Sequence, residues 1–377
     1  MNLEDIHAPY LAPLIAADDW AALARYWIAH RHEPALAAAI VAAHRLAIRD
    51  SRWAELPAYL EKVRVAPFDT RIEPPEPLLA LDGGAACGTL TILFLIPRVA
   101  LCEMAGPYPP GQQEWLFHVA QHAAQEALAV SDTALRAFFI GVLACGLWEV
   151  GQWKNAEECY TQAVTLYREL AIARPEVYRP DVAMTLNNLG TVQRVRNDPE
   201  AALASFGEGL RIYSELPLAL QEAYRPNVAT TLNNLGTAQR DLSDLEAARE
   251  SFEKSLQIHR KLAKARPDLY RPDVAISLNN LGNVLRDLKD LKNLKAARKC
   301  FEESLQIRRA LPKTRPNVYW NYVAGSLNNL GNVQRDLDEL EAARESFKES
   351  VQIRRELADV QPAVYRPAIA RTLNNLV

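Results

Sequence analysis

The amino-acid sequence predicts an all-α solenoid, a stack of helix–turn–helix hairpins rather than one closed core. Three observations predict it. The motif LNNLG starts at Leu186, Leu232, Leu278 and Leu327, and LNNLV starts at Leu373, giving intervals of 46, 46, 49 and 46 residues. A fixed period of about 20–50 residues marks stacked supersecondary units. Inside each period the apolar residues recur at helical spacing, and prolines punctuate one period from the next.

Taken in chain order, residues 1–134 read as helical without a recognisable period. Asp18-Asp19-Trp20 looks like a helix start, with Trp20, Leu23, Trp27 and Ile28 on one face. Residues 35–48 are alanine-rich, and residues 53–63 read as an amphipathic helix. Pro67, Pro74, Pro75 and Pro77 make residues 66–84 a loop. Residues 89–104 form a buried helix or hydrophobic segment, and residues 112–130 a helix. Degenerate helical hairpins stacked on the array describe this region better than an independent fold.

The array proper is expected over residues 135–377. Its first hairpin is degenerate but in register, with Leu143-Ala144 on one helix and Ala156, Tyr160 and Ala163 on the next. The period from Asp273 to Asn321 shows the complete unit. Pro272 can start a helix, because its missing N–H is one of the donors a helix N-terminus leaves unsatisfied anyway. Val274, Leu278, Leu281 and Leu285 form one stripe, residues 287–293 a turn, and Ala297, Phe301 and Leu305 the second stripe. Arg315-Pro316 closes the unit, since the residue before proline is pushed out of the α region. Five hairpins and an unpaired last helix, residues 367–377, result. That helix leaves Leu373 and Leu376 uncovered. Natural arrays usually end in a polar cap, so the expectation is a fragment of a longer chain, or a last helix that docks elsewhere, a homodimer included.

The frame within each unit is specific. Leu186, Leu189, Gly190, Ala202, Phe206 and Gly209 recur as Leu232, Leu235, Gly236, Ala248, Phe252 and Ser255. They recur again as Leu278, Leu281, Gly282, Ala297, Phe301 and Ser304, and as Leu327, Leu330, Gly331, Ala343, Phe347 and Ser350. Small residues let two helices approach, and the phenylalanine is expected to fill the space between neighbouring hairpins. This pattern resembles the tetratricopeptide repeat (TPR), and the long period with doubled asparagines is most similar to the kinesin-light-chain type. The resemblance implies a right-handed solenoid whose first helices line a concave groove, and a protein–protein interaction scaffold or adaptor as function. About twelve residues beyond the short form of the repeat are expected in a longer second helix and in the connector Arg266-Pro267…Tyr270-Arg271-Pro272. The three extra residues of the third interval fall around residues 291–294, in the turn.

On that implied groove face, Asn187, Thr191 and Arg194 stand at i, i+4 and i+7, followed in register by Asn233, Thr237 and Arg240. Asn279, Asn283 and Arg286, then Asn328, Asn332 and Arg335, complete the set. Each triplet shares one helical stripe. Asparagine amides both donate to and accept from an extended peptide backbone, and arginines offer planar donors to carboxylates. The expected ligand is therefore a peptide or protein segment, preferably acidic. A purely structural reading stands beside it: Asp241, Asp287 and Asp336 follow the arginines directly, so each arginine pairs with a neighbouring repeat's aspartate. In that reading the second asparagines, such as Asn188 and Asn234, bond across the hairpin junction.

Composition narrows the classes. With 43 basic and 46 acidic residues the net charge is −3, which argues against a nucleic-acid partner. Cys87, Cys102, Cys145, Cys159 and Cys300 lack Cys-x-x-Cys spacing, which suits reduced thiols in the cytoplasm and offers no zinc site. The start carries Glu4 and Asp5 rather than a basic signal, and the apolar run at residues 89–96 is too short to span a membrane. His118 and His122, with Glu114 and Glu126 at the same spacing, sit on one helix face but lack the His-Glu-x-x-His order. His30 and His32 flank a polar helix end. A solvated face explains both groups better than a metal does. No phosphate-binding glycine loop, nucleophile elbow or dinucleotide turn occurs, so neither catalytic residues nor a cofactor are expected. The rival to a self-standing adaptor is the sensor half of a larger effector, since similar repeats are often fused to caspase-like proteases or nucleoside-triphosphatases. An enzyme within residues 1–134 has no motif behind it.

Overall fold

The computed structural model describes residues 133–149, 151–311, 316–360 and 362–376. The helices expected across residues 1–130 and the His118/His122 stripe lie outside the described residues. Twelve helices and no strand occur among the described residues: α1 (Thr133–Glu149), α2 (Trp153–Ala173), α3 (Pro175–Val195), α4 (Pro199–Ser214), α5 (Leu218–Ala223) and α6 (Arg225–Asp241), then α7 (Leu245–Ala265), α8 (Pro267–Asp287), α9 (Leu291–Ala310), α10 (Pro316–Asp336), α11 (Leu340–Val360) and α12 (Pro362–Leu376). The fold is an all-α solenoid. The chain divides into two compact units, Met1–Val192 and Gln193–Val377.

In the first unit α1 and α2 pack as a hairpin. Ala144, Ala156 and Ala163 are fully buried at its contact, and Cys145 Sγ meets the Tyr160 hydroxyl at 2.9 Å. The small residues permit that approach, and the bulky tyrosine fills the width left beside them. The rings of Tyr167 on α2 and Tyr178 on α3 stack at 6.4 Å.

The second unit holds α6/α7, α8/α9 and α10/α11 as hairpins, with α4 against α6 and α12 against α11. Each hairpin also packs on the next, through α7 on α8 and α9 on α10, so one apolar core runs through them. Phe252 and Phe301 belong to that shared core, and the phenylalanines also fill space inside their own hairpins. Phe252, Phe301 and Phe347 lie against Gly236, Gly282 and Gly331 of their own hairpins. A β-carbon on Gly282 would stand 2.7 Å from the Phe301 ring. Glycine is needed there because the ring occupies the space of its missing side chain inside the hairpin.

The proline connector is also helical, contrary to its reading as a link. α3, α8 and α10 each run 21 residues and start at the first proline, Pro175, Pro267 or Pro316, leaving Pro180 and Pro272 inside their helices. Proline at N1 sacrifices only a donor that has no helical partner, so the first proline of the pair sets the start and the added residues lengthen the first helix. Where Gln221 stands in place of that proline, a separate short helix, α5, forms after Pro217, and α6 begins only at Arg225.

Every hairpin turn among the described residues contains one left-handed residue at the same register: Gly151, Asn197, Ser243, Lys289 and Asp338, with φ of 76°, 66°, 63°, 62° and 62°. In three of these turns the next residue, an aspartate, caps the second helix. Asp198, Asp244 and Asp290 accept from the backbone N–H of Ala201, Ala247 and Asn293 at 3.0, 3.3 and 2.8 Å, which satisfies a donor the helix start leaves open. Because Asp290 caps so early, the three extra residues become an added first turn of α9 rather than a longer loop, and Leu291 stands exposed on it. The packing of α8 on α9 keeps its phase.

Candidate functional site

The first helices of the second unit carry two side-chain ladders. Asn233 Oδ1 accepts from Asn280 Nδ2 at 3.2 Å, and Asn279 Oδ1 from Asn329 Nδ2 at 3.0 Å. Asn328 Oδ1 accepts from Asn375 Nδ2 at 3.3 Å and from the Thr372 hydroxyl at 3.1 Å. The second asparagine of each pair therefore reaches back to the first asparagine of the preceding repeat. The doubled asparagine is thereby explained: one residue receives the link and the other makes it.

The arginines form the second ladder. Arg194, Arg240 and Arg286 pair with Asp241, Asp287 and Asp336 of the following repeat at 3.1, 2.6 and 3.1 Å. These are partly exposed pairs, each worth at most about 1 kcal/mol, but they neutralise three of the four cations expected to read an acidic ligand. Arg335 differs. It is exposed, donates to Asn332 Oδ1 at 3.3 Å and to the Asn375 carbonyl at 3.4 Å, and lies 6.0 Å over the Phe347 ring. It has no carboxylate partner among the described residues.

The remaining predicted positions are quieter. The Thr191 and Thr237 hydroxyls donate to the carbonyls of Asn187 and Asn233, one turn back on their own helices, at 2.9 and 3.0 Å. Asn283 is half-buried on α8, and Asn332 is buried. Asn187 and Thr191 keep the same register on α3, in the first unit.

A third polar series was missed. Ser255 and Ser304 donate to the carbonyls of Ala229 and Ala275 in their own hairpins at 2.7 and 2.8 Å. One turn on, His259 Nδ1 meets the Ser277 hydroxyl of α8 at 2.9 Å. At the same register Arg308 donates to the Tyr322 carbonyl at 2.9 Å and to Ser326 at 2.7 Å. Arg354 binds the Ala368 carbonyl at 3.1 Å and the Thr372 hydroxyl. These buried groups lock one hairpin to the next. Their signal was present as a polar residue recurring with the repeat, at 259, 308 and 354, inside an apolar stripe. Another pair varies in step: Gln239–Ser251 and Gln334–Ser346 bond at 2.7 Å, and in the repeat between them Leu285 and Cys300 replace both polar partners. Burial raises the Cys300 thiol to about 11, so it behaves as an apolar filler.

Two titratable groups near this joint oppose each other. Burial lowers His259 from 6.5 to about 4 and raises Asp273, on α8, from 3.8 to about 6. For His259 the unfolded chain binds the extra proton, so its contribution is lost as pH falls from 6.5 towards 4. For Asp273 the folded chain holds the extra proton, so its contribution is lost as pH rises from 3.8 to 6. The two slopes cancel over one window. Asp273→Asn should therefore leave a stability that rises with pH between about 4.5 and 6.5, and His259→Gln one that falls there. Urea midpoints at both ends of that window check the signs; variants that both track the wild type would refute the assignment.

Comparison with known proteins now adds to this geometry. Tetratricopeptide-repeat family models match residues 273–356 and residues 228–267, the stretch that builds the hairpins of the ladders. Those residues form tetratricopeptide repeats. The crystal structure of BtubC (BKLC) from P. vanneervenii is similar to the TPR chain at 21% identity and a TM-score of 0.53, covering 65% of this chain and 92% of that one. The crystal structure of a Podosopora anserina putative kinesin light chain with nearly identical TPR-like repeats aligns at 15% identity and a TM-score of 0.46, over 62% of this chain and 99% of that one. No curated protein matches the TPR chain. TPR arrays serve in general as protein–protein interaction scaffolds, and that general role extends to this protein. No helix among the described residues is long and apolar enough to cross a membrane.

Proposed function

We propose that the first-helix face of α6, α8 and α10 binds an extended segment of a protein partner through the segment's main-chain carbonyls. One observation carries this reading. Asn233, Asn279 and Asn328 each spend their Oδ1 on the next repeat, which fixes the amide plane, while their Nδ2 groups have no protein acceptor among the described residues. Pre-oriented amides lose little freedom on binding. A row of half-buried N–H donors at one position per repeat suits the regularly spaced acceptors of an extended chain. The arginine ladder supports the face by joining repeats.

The discriminating variant is Asn233→Asp/Asn279→Asp. It keeps the oxygen that the next repeat uses but replaces the outward donor with an acceptor. Thermal stability should stay close to that of the wild type, while binding of peptides selected from a random displayed library should weaken at least about tenfold. Unchanged peptide binding by this folded variant would rule the asparagine row out as the reading surface.

A further inference from the structure

The uncovered stripe of α8 carries an ionisable side chain that the repeat itself does not use. Asp273, Ile276, Asn279 and Asn283 follow one another at helical spacing, while Val274, Ala275, Ser277 and Leu278 beside them are buried. Asp273 thus shares the first-helix face with the asparagine row. Its carboxyl is half-buried and has no hydrogen-bond or ion-pair partner among the described residues. Burial raises it to about 6, so at neutral pH the hairpin carries an ion that no neighbour compensates. Packing of the repeat does not demand a carboxylate there. The equivalent residues are Asn227 on α6, Tyr322 on α10 and Ala368 on α12. Asp181, the equivalent on α3, is 4% exposed and engaged.

Register defines the surroundings of Asp273. Asn233–Asn280 and Arg240–Asp287 both join residues 47 apart, and Asn279–Asn329 and Arg286–Asp336 both join residues 50 apart. α6, α8 and α10 therefore run parallel in fixed register. Followed back along the helices, that register sets Asp273 between Asn227 and Tyr322, and Ile276 between Thr230 and Gly325. Ile276 and Tyr322 are 40% and 37% exposed. A β-carbon on Gly325 would meet nothing within 4 Å, so the space beside it is open. The cations of this stretch are spent elsewhere. Arg240 and Arg286 hold Asp287 and Asp336, and Arg308, 5.3 Å over the Tyr322 ring, donates to the Tyr322 carbonyl and to Ser326. The charge left uncompensated here is negative, opposite in sign to the one the arginine row suggested.

We propose, resting on the first-helix face as the binding surface, that Asp273 receives a lysine or arginine side chain of the partner's extended segment, with its aliphatic stem along Ile276. Long basic side chains lay an apolar stem on apolar surface while the charged head finds an acceptor. A partly desolvated carboxylate holds such a head more strongly than a fully solvated one does. Asn227 offers an amide oxygen at the same level.

The test uses the full chain and a random displayed peptide library, selected separately on the wild type and on Asp273→Lys. Peptides taken by the wild type should share a lysine or arginine at one position, and those taken by Asp273→Lys an aspartate or glutamate there. A labelled synthetic copy of a wild-type peptide should lose at least about tenfold in affinity, by fluorescence anisotropy, when its basic residue becomes glutamine. Asp273→Asn should remove the difference between the two peptides. The fold accommodates that variant, since α6 has Asn227 at this register, and a thermal melt checks it. Selected peptides that share no basic residue, or a glutamine peptide that loses equally on the wild type and on Asp273→Asn, would overturn the proposal. The asparagine row would survive that result if Asn233→Asp/Asn279→Asp still weakened the same peptides. Peptides indifferent to Asp273→Asn and to Asn233→Asp/Asn279→Asp alike would overturn the binding face itself, and this proposal with it.

Discussion

Replacing Phe252 with alanine should destabilise the array by about 3–5 kcal/mol. The ring is 1% exposed, and a β-carbon on Gly236 of its own hairpin would stand 3.0 Å from it. No neighbouring side chain can occupy the vacated space without leaving its own position in the core. Because repeats are stabilised by their own contacts and by their immediate neighbours, the loss should spread to the α8/α9 hairpin, whose Leu278 shares the same cluster. A urea melt of the full chain measures it, and Phe252→Leu should lose markedly less. A melting midpoint unmoved by the alanine would mean that the phenylalanine is not the hairpin's filler and that the register assigned to the repeats is wrong.

Gly282→Ala should also destabilise, although alanine is favoured over glycine within a helix by about 1 kcal/mol. The new methyl would stand 2.7 Å from Phe301 Cε1 and 2.8 Å from Cζ. The ring is fully buried and has nowhere to swing, so overpacking of about 1–3 kcal/mol outweighs the gain in propensity. Gly325→Ala supplies the control. It too lies in a first helix, but a β-carbon there meets nothing within 4 Å, so that substitution should stabilise. Combining Gly282→Ala with Phe301→Leu should cost less than the sum of the two single changes, since the smaller side chain leaves room for the methyl. Strict additivity, or destabilisation by both glycine substitutions alike, would refute the close-contact explanation.

The two ladders of the candidate site were half legible in advance. Their positions followed from the helical stripe, and the aspartates next to the arginines already suggested inter-repeat pairing. What the sequence left open was which role each group takes, because a side chain at i, i+4, i+7 faces a groove and a neighbouring first helix at once. The structure shows Arg194, Arg240 and Arg286 engaged with aspartates and Arg335 without one among the described residues. No local feature separates Arg335 from the other three.

The amino-acid sequence by itself determined the repeat unit, its period, its all-α character and the apolar positions. All of these follow from spacing along one chain: 3.6 residues per turn within a helix, and about 46 residues between copies. Tertiary structure decided what spacing cannot. It set the Phe301 ring against Gly282 of its own hairpin, in the space of the missing side chain. It turned the Arg-Pro connector into the first turns of a helix, because proline at N1 costs no hydrogen bond. It absorbed the three extra residues into an added turn of α9, because Asp290 caps it there. It also set His259, Arg308 and Arg354 as buried joints between hairpins. In each case the outcome depends on which groups meet in space to fill a volume or satisfy a donor. A one-dimensional pattern places residues on a face, and only the packed neighbour fixes what that face touches.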